Sequence, residues 1–260
     1  MLAEREPERA ERPPEGWDQK EMPFTEHLRE LRSRLVISLG TIVGLAVLLF
    51  WPAPFAISWL KHEYLGKTVV LHAFAPTDVI VTEFKFALYG AVVLGLPVLL
   101  YQAWMFVMPA FAPKTRGVVY AYIAPSIVLA AIGILFCHFF IIGRVVTALI
   151  AITEGVAEPT FGLESTLNLI LLTFLAFAVI FETPMVMVAL ARVGIVNPRM
   201  LRTQRRYAAM GILLFGGVAA PDASPFTMML IATPMYVLYE ASIWIIVVLE
   251  KSWNRTALRG

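Results

Sequence analysis

Apolar residues fall in long blocks along this chain, and the first periodic one is Phe24, Leu28, Leu31 and Leu35. The spacings of four, three and four form one stripe of a helix. The other face carries Glu26, Arg29, Glu30, Arg32, Ser33 and Arg34. Glu26–Arg29 and Glu30–Arg34 stand at ion-pairing offsets, worth a few tenths of a kcal/mol each when exposed. The pattern predicts an amphipathic turn or two at a membrane interface, continuing into a first span at about 35–51. Its charges read as a solvated flank that anchors the helix. Pro52 and Pro54 then open a mixed segment to about Asp78, too polar to cross lipid but rich in Trp59, Tyr64, Leu65 and Phe74. It reads as a cap on the membrane face.

Three further apolar blocks cover about 79–108, 118–142 and 165–191. A short loop bounded by Pro109 and Pro113 separates the first two, and a polar loop at about 143–164 precedes the third. The fifth block, 207–220, is short: its 14 residues reach roughly 21 Å, against a hydrocarbon core about 30 Å thick. A turn at 221–225 returns the chain from Phe226. The same distance down the returning helix reaches Glu240, level with Arg205 and Arg206. Residues 241–249 are still apolar and would lie along the interface or protrude; a full-length sixth span is the alternative.

The pattern therefore predicts an all-α polytopic membrane protein with six transmembrane helices, the fifth shorter than the bilayer. Residues 1–23 mix acids, bases and prolines and read as a disordered tail, 24–250 as the membrane domain, and 251–260 as a C-terminal tail. Composition agrees, with 59% hydrophobic and 15% charged residues in 260 and a mean hydropathy of +0.74. No room is left for a separate soluble catalytic domain. The net charge of +2 matters less than its distribution. Arginines and lysines crowd the N-terminal flank, the loops after the second and fourth spans, and the C-terminus. The opposite side has Lys61, Lys67 and Arg144, with Lys85 nearby. The positive-inside rule places both termini in the cytoplasm.

Within the fourth block stands Glu182. An ionised acid at the centre of a membrane helix costs roughly 2.5–3.5 kcal/mol on insertion scales. It therefore faces protein or a wet cavity, or takes up a proton. Pro184 has no N–H for the carbonyl of Ile180, so a kink with loosened backbone is expected beside the acid. A structural Glu satisfied by a neighbouring helix is the other possibility.

Enzymatic motifs are missing. His27, His62, His72 and His138 fall on different predicted elements, without a His-Glu-x-x-His zinc motif. There is no Gly-x-Ser-x-Gly elbow and no phosphate-binding glycine loop. The single cysteine, Cys137, excludes an intrachain disulfide. No cofactor, metal or nucleic acid is expected. The residues alone leave a transporter, channel or receptor, with a proton-coupled transporter titrating Glu182 as the leading reading.

Four blocks change that order. The segment His27-Leu28-Arg29-Glu30-Leu31-Arg32-Ser33-Arg34-Leu35 resembles the His-Leu-x-Glu-Leu-Arg-x-Arg signature of the TatC family, the signal-peptide receptors of the twin-arginine translocase. The stretch from Pro97 through Tyr101, Gln102, Trp104 and Phe106 to Pro109 is similar too. So are Phe181-Glu182-Thr183-Pro184 and the run Pro234-Met-Tyr236-Val-Leu-Tyr239-Glu240. The blocks occur in order and are specific as a set.

The resemblance implies a receptor and assembly core rather than an enzyme, in the bacterial cytoplasmic (inner) membrane. It would bind twin-arginine signal peptides of folded cargo and gather single-span TatA- and TatB-type subunits along helix 5. A homo-oligomer within the complex and export driven by the proton-motive force are implied as well. Glu30 matches the signal-binding acid, with Arg32 and Leu35 positioning that segment, and Pro97 and Phe106 shape the second helix. Thr115 stands where the family usually has a second acid, so Glu30 carries more of the recognition or Glu26 substitutes. Glu182 and Pro184 match the intramembrane polar site on the concave face. The family often has Asp immediately before the proline at Pro225; Ser224 stands there, leaving Asp222 as the acid at that turn. Glu240 is expected near the cytoplasmic interface.

Overall fold

The computed structural model describes residues 24–66, 69–108, 116–154, 160–219 and 224–257. Helix α1, Phe24–Phe50, is continuous, so the amphipathic flank and the first span are one rod. Pro52 and Pro54 stop it, but the following segment is helical, α2 at Ala53–Leu65. Proline at the start of a helix loses no bond that the helix would have made. A two-residue strand, β1 at Leu71–His72, precedes α3, Asp78–Val107. The Asp78 carboxylate accepts the backbone N–H groups of Phe74 and Ala75, closing the turn into α3.

The next helix outruns the expected span. Helix α4, Arg116–Phe136, passes through a π-helical turn at Cys137–Ile142 into α5, Gly143–Glu154. The predicted loop is therefore helical as far as Glu154. The π turn buries Cys137, Ile141 and Ile142 and sets the His138 ring against the Tyr64 hydroxyl of α2. Burial pushes the pKa of that phenol above its ordinary range, making it a weaker acid, and Cys137 and Glu63 add to the effect. Strand β2, Phe161–Gly162, pairs in parallel with β1 through Leu71–Phe161 and His72–Gly162.

The fourth predicted span is two helices, α6 at Leu163–Ile180 and α7 at Thr183–Arg192. Gly194, at φ +86°, ends α7 in a conformation that glycine adopts without strain. Helix α8, Pro198–Thr203, is capped by the Asn197 side chain accepting the N–H of Met200. Helix α9, Arg205–Ala219, has 15 residues and reaches roughly 22 Å, short of a hydrocarbon core. Helix α10, Pro225–Ala257, starts at a Ser224 cap: its hydroxyl accepts the N–H of Thr227. Serine thus does at this turn the capping work that aspartate does elsewhere. Helix α10 runs unbroken past Glu240, so the apolar 241–249 segment neither bends along an interface nor ends the helix. Ile243 and Ile246 on it are buried in a cluster with Leu201 and Val188.

Five stretches among the described residues are long and apolar enough to cross a membrane: His27–Phe50, Asp78–Val107, Tyr120–Ala151, Leu163–Arg192 and Pro225–Glu250. Helix α9 is too short to be one of these. Helices α1 and α3 pack antiparallel, with Phe50 against Phe84 and Leu45 over Gly95. The start of α1 and the end of α3 are thereby brought together. Gly133 of α4 lies so close to α6 that a Cβ there would meet the Phe177 carbonyl oxygen at 2.6 Å.

Candidate functional site

The site is built at the arginine-rich end, on the last turns of α3. One side of these turns holds α1. The Arg34 guanidinium donates through Nε (2.9 Å) and Nη2 (2.5 Å) to Oε1 of Glu30, and through Nη1 to Oε1 of Gln102 on α3 (3.2 Å). One turn further on, the His27 ring stacks on Phe106, with centroids 4.5 Å apart. His27, Glu30 and Arg34 of the α1 flank therefore turn towards α3, while Arg29, Arg32 and Ser33 stay exposed. Its apolar stripe faces outward, with Leu35 63% exposed. The expectation of a solvated flank holds for Arg29, Arg32 and Ser33, whereas Glu30 and Arg34 are part-buried and paired with each other, since charges drawn from water need partners. Arg32 is exposed, and so is Pro97, on α3 between Gly95 and Gln102.

The other side of α3 leads to Glu182. The Trp104 indole donates to Oγ of Ser126 on α4 at 2.9 Å, and the Ser126 hydroxyl is the polar neighbour of the Glu182 carboxylate. Glu182 occupies the junction between α6 and α7 and is 7% exposed. Its Oε1 has no hydrogen-bond partner among the described residues. The acid lines a cavity of about 250 Å³ with Leu100, Trp104, Val107, Val186 and Ile195. Pro184, also buried, starts α7, and the Thr183 hydroxyl donates to the Ile180 carbonyl at 2.6 Å in place of the missing N–H. Such an arrangement can accept a hydrogen bond from a group entering an otherwise apolar space.

A third cluster fastens α10 to the basic segment. Arg205 pairs with Glu240 at 2.7 Å, which puts the acid at the predicted level. Tyr236 donates to the same carboxylate at 3.3 Å, and the buried Tyr239 hydroxyl donates to the Leu201 carbonyl at 2.8 Å. Thr115 and Asp222 lie outside the described residues.

The fold thus unites Glu30 with Phe106, and places Glu182 across α3 from them rather than beside them. Gln102 and Ser126 were not assigned roles from sequence. The available signal was their polarity inside apolar helices, which is costly without a partner.

Helices of this length and composition, folded around buried polar links, define a polytopic α-helical membrane protein. Residues 26–234 match the family described as Sec-independent protein translocase protein (TatC). The Sec-independent protein translocase protein TatC of Aquifex aeolicus (strain VF5) is 32% identical over 228 residues, covering 86% of this chain and 94% of the relative. The TatCy protein of Bacillus subtilis (strain 168) is 32% identical over 226 residues, covering 86% and 89%. Two crystal structures titled as the twin-arginine translocase receptor TatC are also similar. One, in DDM, has a TM-score of 0.76 at 30% identity, covering 85% of this chain and 99% of that one; the other has a TM-score of 0.77 at 29% identity. The chain belongs to the TatC family. It is a membrane component of the twin-arginine protein translocase, working in a complex with other Tat subunits.

Proposed function

We propose that this chain is the receptor and assembly core of its translocase, binding twin-arginine signal peptides of folded proteins at the lip formed by α1 and α3. The observation that carries the reading is the partly exposed Glu30 carboxylate held at that lip beside the His27–Phe106 stack. A carboxylate with fixed orientation suits guanidinium donors, which bind in a fork. Arg32 and Leu35 lie on the exposed face of the same turns, where a peptide can reach them. Pro97, Phe106 and Thr115 complete the proposed peptide-binding set, and Glu182 with Pro184 forms the intramembrane polar site for its apolar part. The arginine-rich end faces the cytoplasm, with both termini there and six helices in the bilayer.

Single-span partners of the TatA and TatB types are proposed to dock along α9. Support comes from its length and from an apolar groove of about 330 Å³ between α9 and α10, lined by Leu213, Met229 and Val237. A short helix beside the groove favours local thinning of the bilayer, through which cargo passes at the expense of the proton-motive force. Asp222 and Glu240 are proposed to serve the outer turn and the partner contact.

The test is recovery of the detergent-solubilised protein on a twin-arginine signal peptide, against the same peptide with both arginines changed to lysine. Recovery that needs the arginines and is lost in Glu30→Gln is expected. Equal recovery on both peptides overturns the reading. The transporter alternative draws on the unpartnered oxygen of Glu182, and solute uptake into liposomes abolished by Glu182→Gln would favour it.

A further inference from the structure

We propose that Arg34 is an internal stand-in for the guanidinium of the targeting peptide, so that recognition is an exchange of one arginine for another on Glu30. The proposal rests on the receptor reading above and assigns Arg34 the role of a built-in competitor that sets the affinity of the lip. In the resting protein two donors of Arg34 already converge on Oε1 of Glu30, at 2.9 and 2.5 Å. The acid is thus occupied by the kind of group it is to recognise. Its side chain is 23% exposed, so the pair sits within reach of a ligand from outside.

Gln102 supplies the other half of the device. Its Oε1 accepts from Nη1 of Arg34 at 3.2 Å across the α1–α3 contact. A guanidinium directs its five N–H donors outward along different edges of its plane, so Arg34 can release Glu30 from Nε and Nη2 while Nη1 keeps its partner on α3. Without such an acceptor, displacement would leave a partly buried charge with nothing to hold it, which is costly. Gln102 is neutral, so the displaced Arg34 is held without competing for Glu30 by charge.

Local charge explains what the exchange selects. Along this stretch of α1, Arg29, Arg32 and Arg34 outnumber the carboxylates Glu26 and Glu30. The resting lip is therefore positive and gives a dicationic peptide no long-range attraction. Only a ligand that satisfies the carboxylate better at contact takes it from Arg34. A second guanidinium does so with a matching fork, whereas an ammonium offers a point charge and remains strongly hydrated. The carboxylate itself separates arginine from lysine, and Arg34 sets how tightly either is held.

The experiment measures binding of fluorescent twin-arginine and twin-lysine peptides to the purified full-length chain in detergent, using wild type, Arg34→Gln and Gln102→Leu. Arg34→Gln should bind the arginine peptide about two- to fivefold more tightly, the range for loss of one partly exposed competing ion pair. The lysine peptide should gain by the same factor, because an internal competitor lowers the affinity of both peptides alike, and the preference should stay as in wild type. Gln102→Leu should weaken binding of the arginine peptide, because the displaced guanidinium then has no acceptor. Weaker or unchanged binding by a folded Arg34→Gln, or gains that differ between the two peptides, overturns the proposal. Should Arg34→Gln fail to fold, as judged by thermal unfolding, Gln102→Leu decides, and unchanged or tighter binding there overturns it. Wild type that does not distinguish the two peptides brings down the receptor reading itself, and this proposal with it.

Discussion

The hydroxyl of Thr183 donates to the carbonyl oxygen of Ile180 at 2.6 Å, the acceptor that Pro184 leaves without an N–H. The break between α6 and α7 is therefore closed from within. Thr183→Val keeps the shape and removes the donor, stranding a carbonyl in apolar surroundings. Loss of about 1–3 kcal/mol is expected, with Thr183→Ser close to wild type. Thermal unfolding in detergent compares the two.

Gly133 tests the contact of α4 with α6. An added Cβ would meet the Phe177 carbonyl oxygen at 2.6 Å and the Phe181 side chain at 2.9 Å. Backbone cannot yield as a flexible side chain can, so Gly133→Ala should cost about 1–3 kcal/mol. Gly143→Ala, where nothing lies within 4 Å, should be neutral or slightly stabilising. A lower melting temperature for Gly143→Ala than for Gly133→Ala would contradict this packing.

Arg205 and Glu240 are partly exposed, at 46% and 25% of their side chains. A double-mutant cycle on them should give a coupling of at most about 1 kcal/mol, as exposed pairs do. Tyr239→Phe, which strands the buried Leu201 carbonyl, should cost more than breaking the Arg205 pair. Unfolding midpoints rank the variants; the reverse order would show that the ion pair, not the tyrosine, fastens α8 to α10.

Glu182 combines burial with an unpartnered oxygen. Such a group weakens the fold that holds it. Glu182→Leu should leave thermal stability unchanged or raised, while export of a folded twin-arginine reporter in cells falls. A marked drop in stability would instead make the acid a structural member of the core. Ser126→Ala, which removes the polar neighbour of the carboxylate, should reduce export less than Glu182→Leu.

Sequence alone determined the membrane class, the blocks that became the long helices, the short α9, the break at Pro184 and the level of Glu240. Each of these follows from a local quantity: apolar run length, the missing N–H of proline, or a fixed rise per residue. It also carried the family resemblance, since the motifs are local strings. The helices α2 and α5 look like loops in hydropathy, because polar residues in an interfacial helix lower it as a loop does.

Tertiary structure decided which residues meet. That Glu30 is held by Arg34 follows from helical spacing, but that Gln102 shares the guanidinium depends on the antiparallel register of α1 and α3, a contact 68 residues apart in sequence. The same holds for Trp104, Ser126 and Glu182, which three separate elements bring to one place. The direction of the α1 stripe was likewise undecidable from periodicity. Periodicity gives two faces, and only the partner helix and the surrounding lipid determine which of them turns inward.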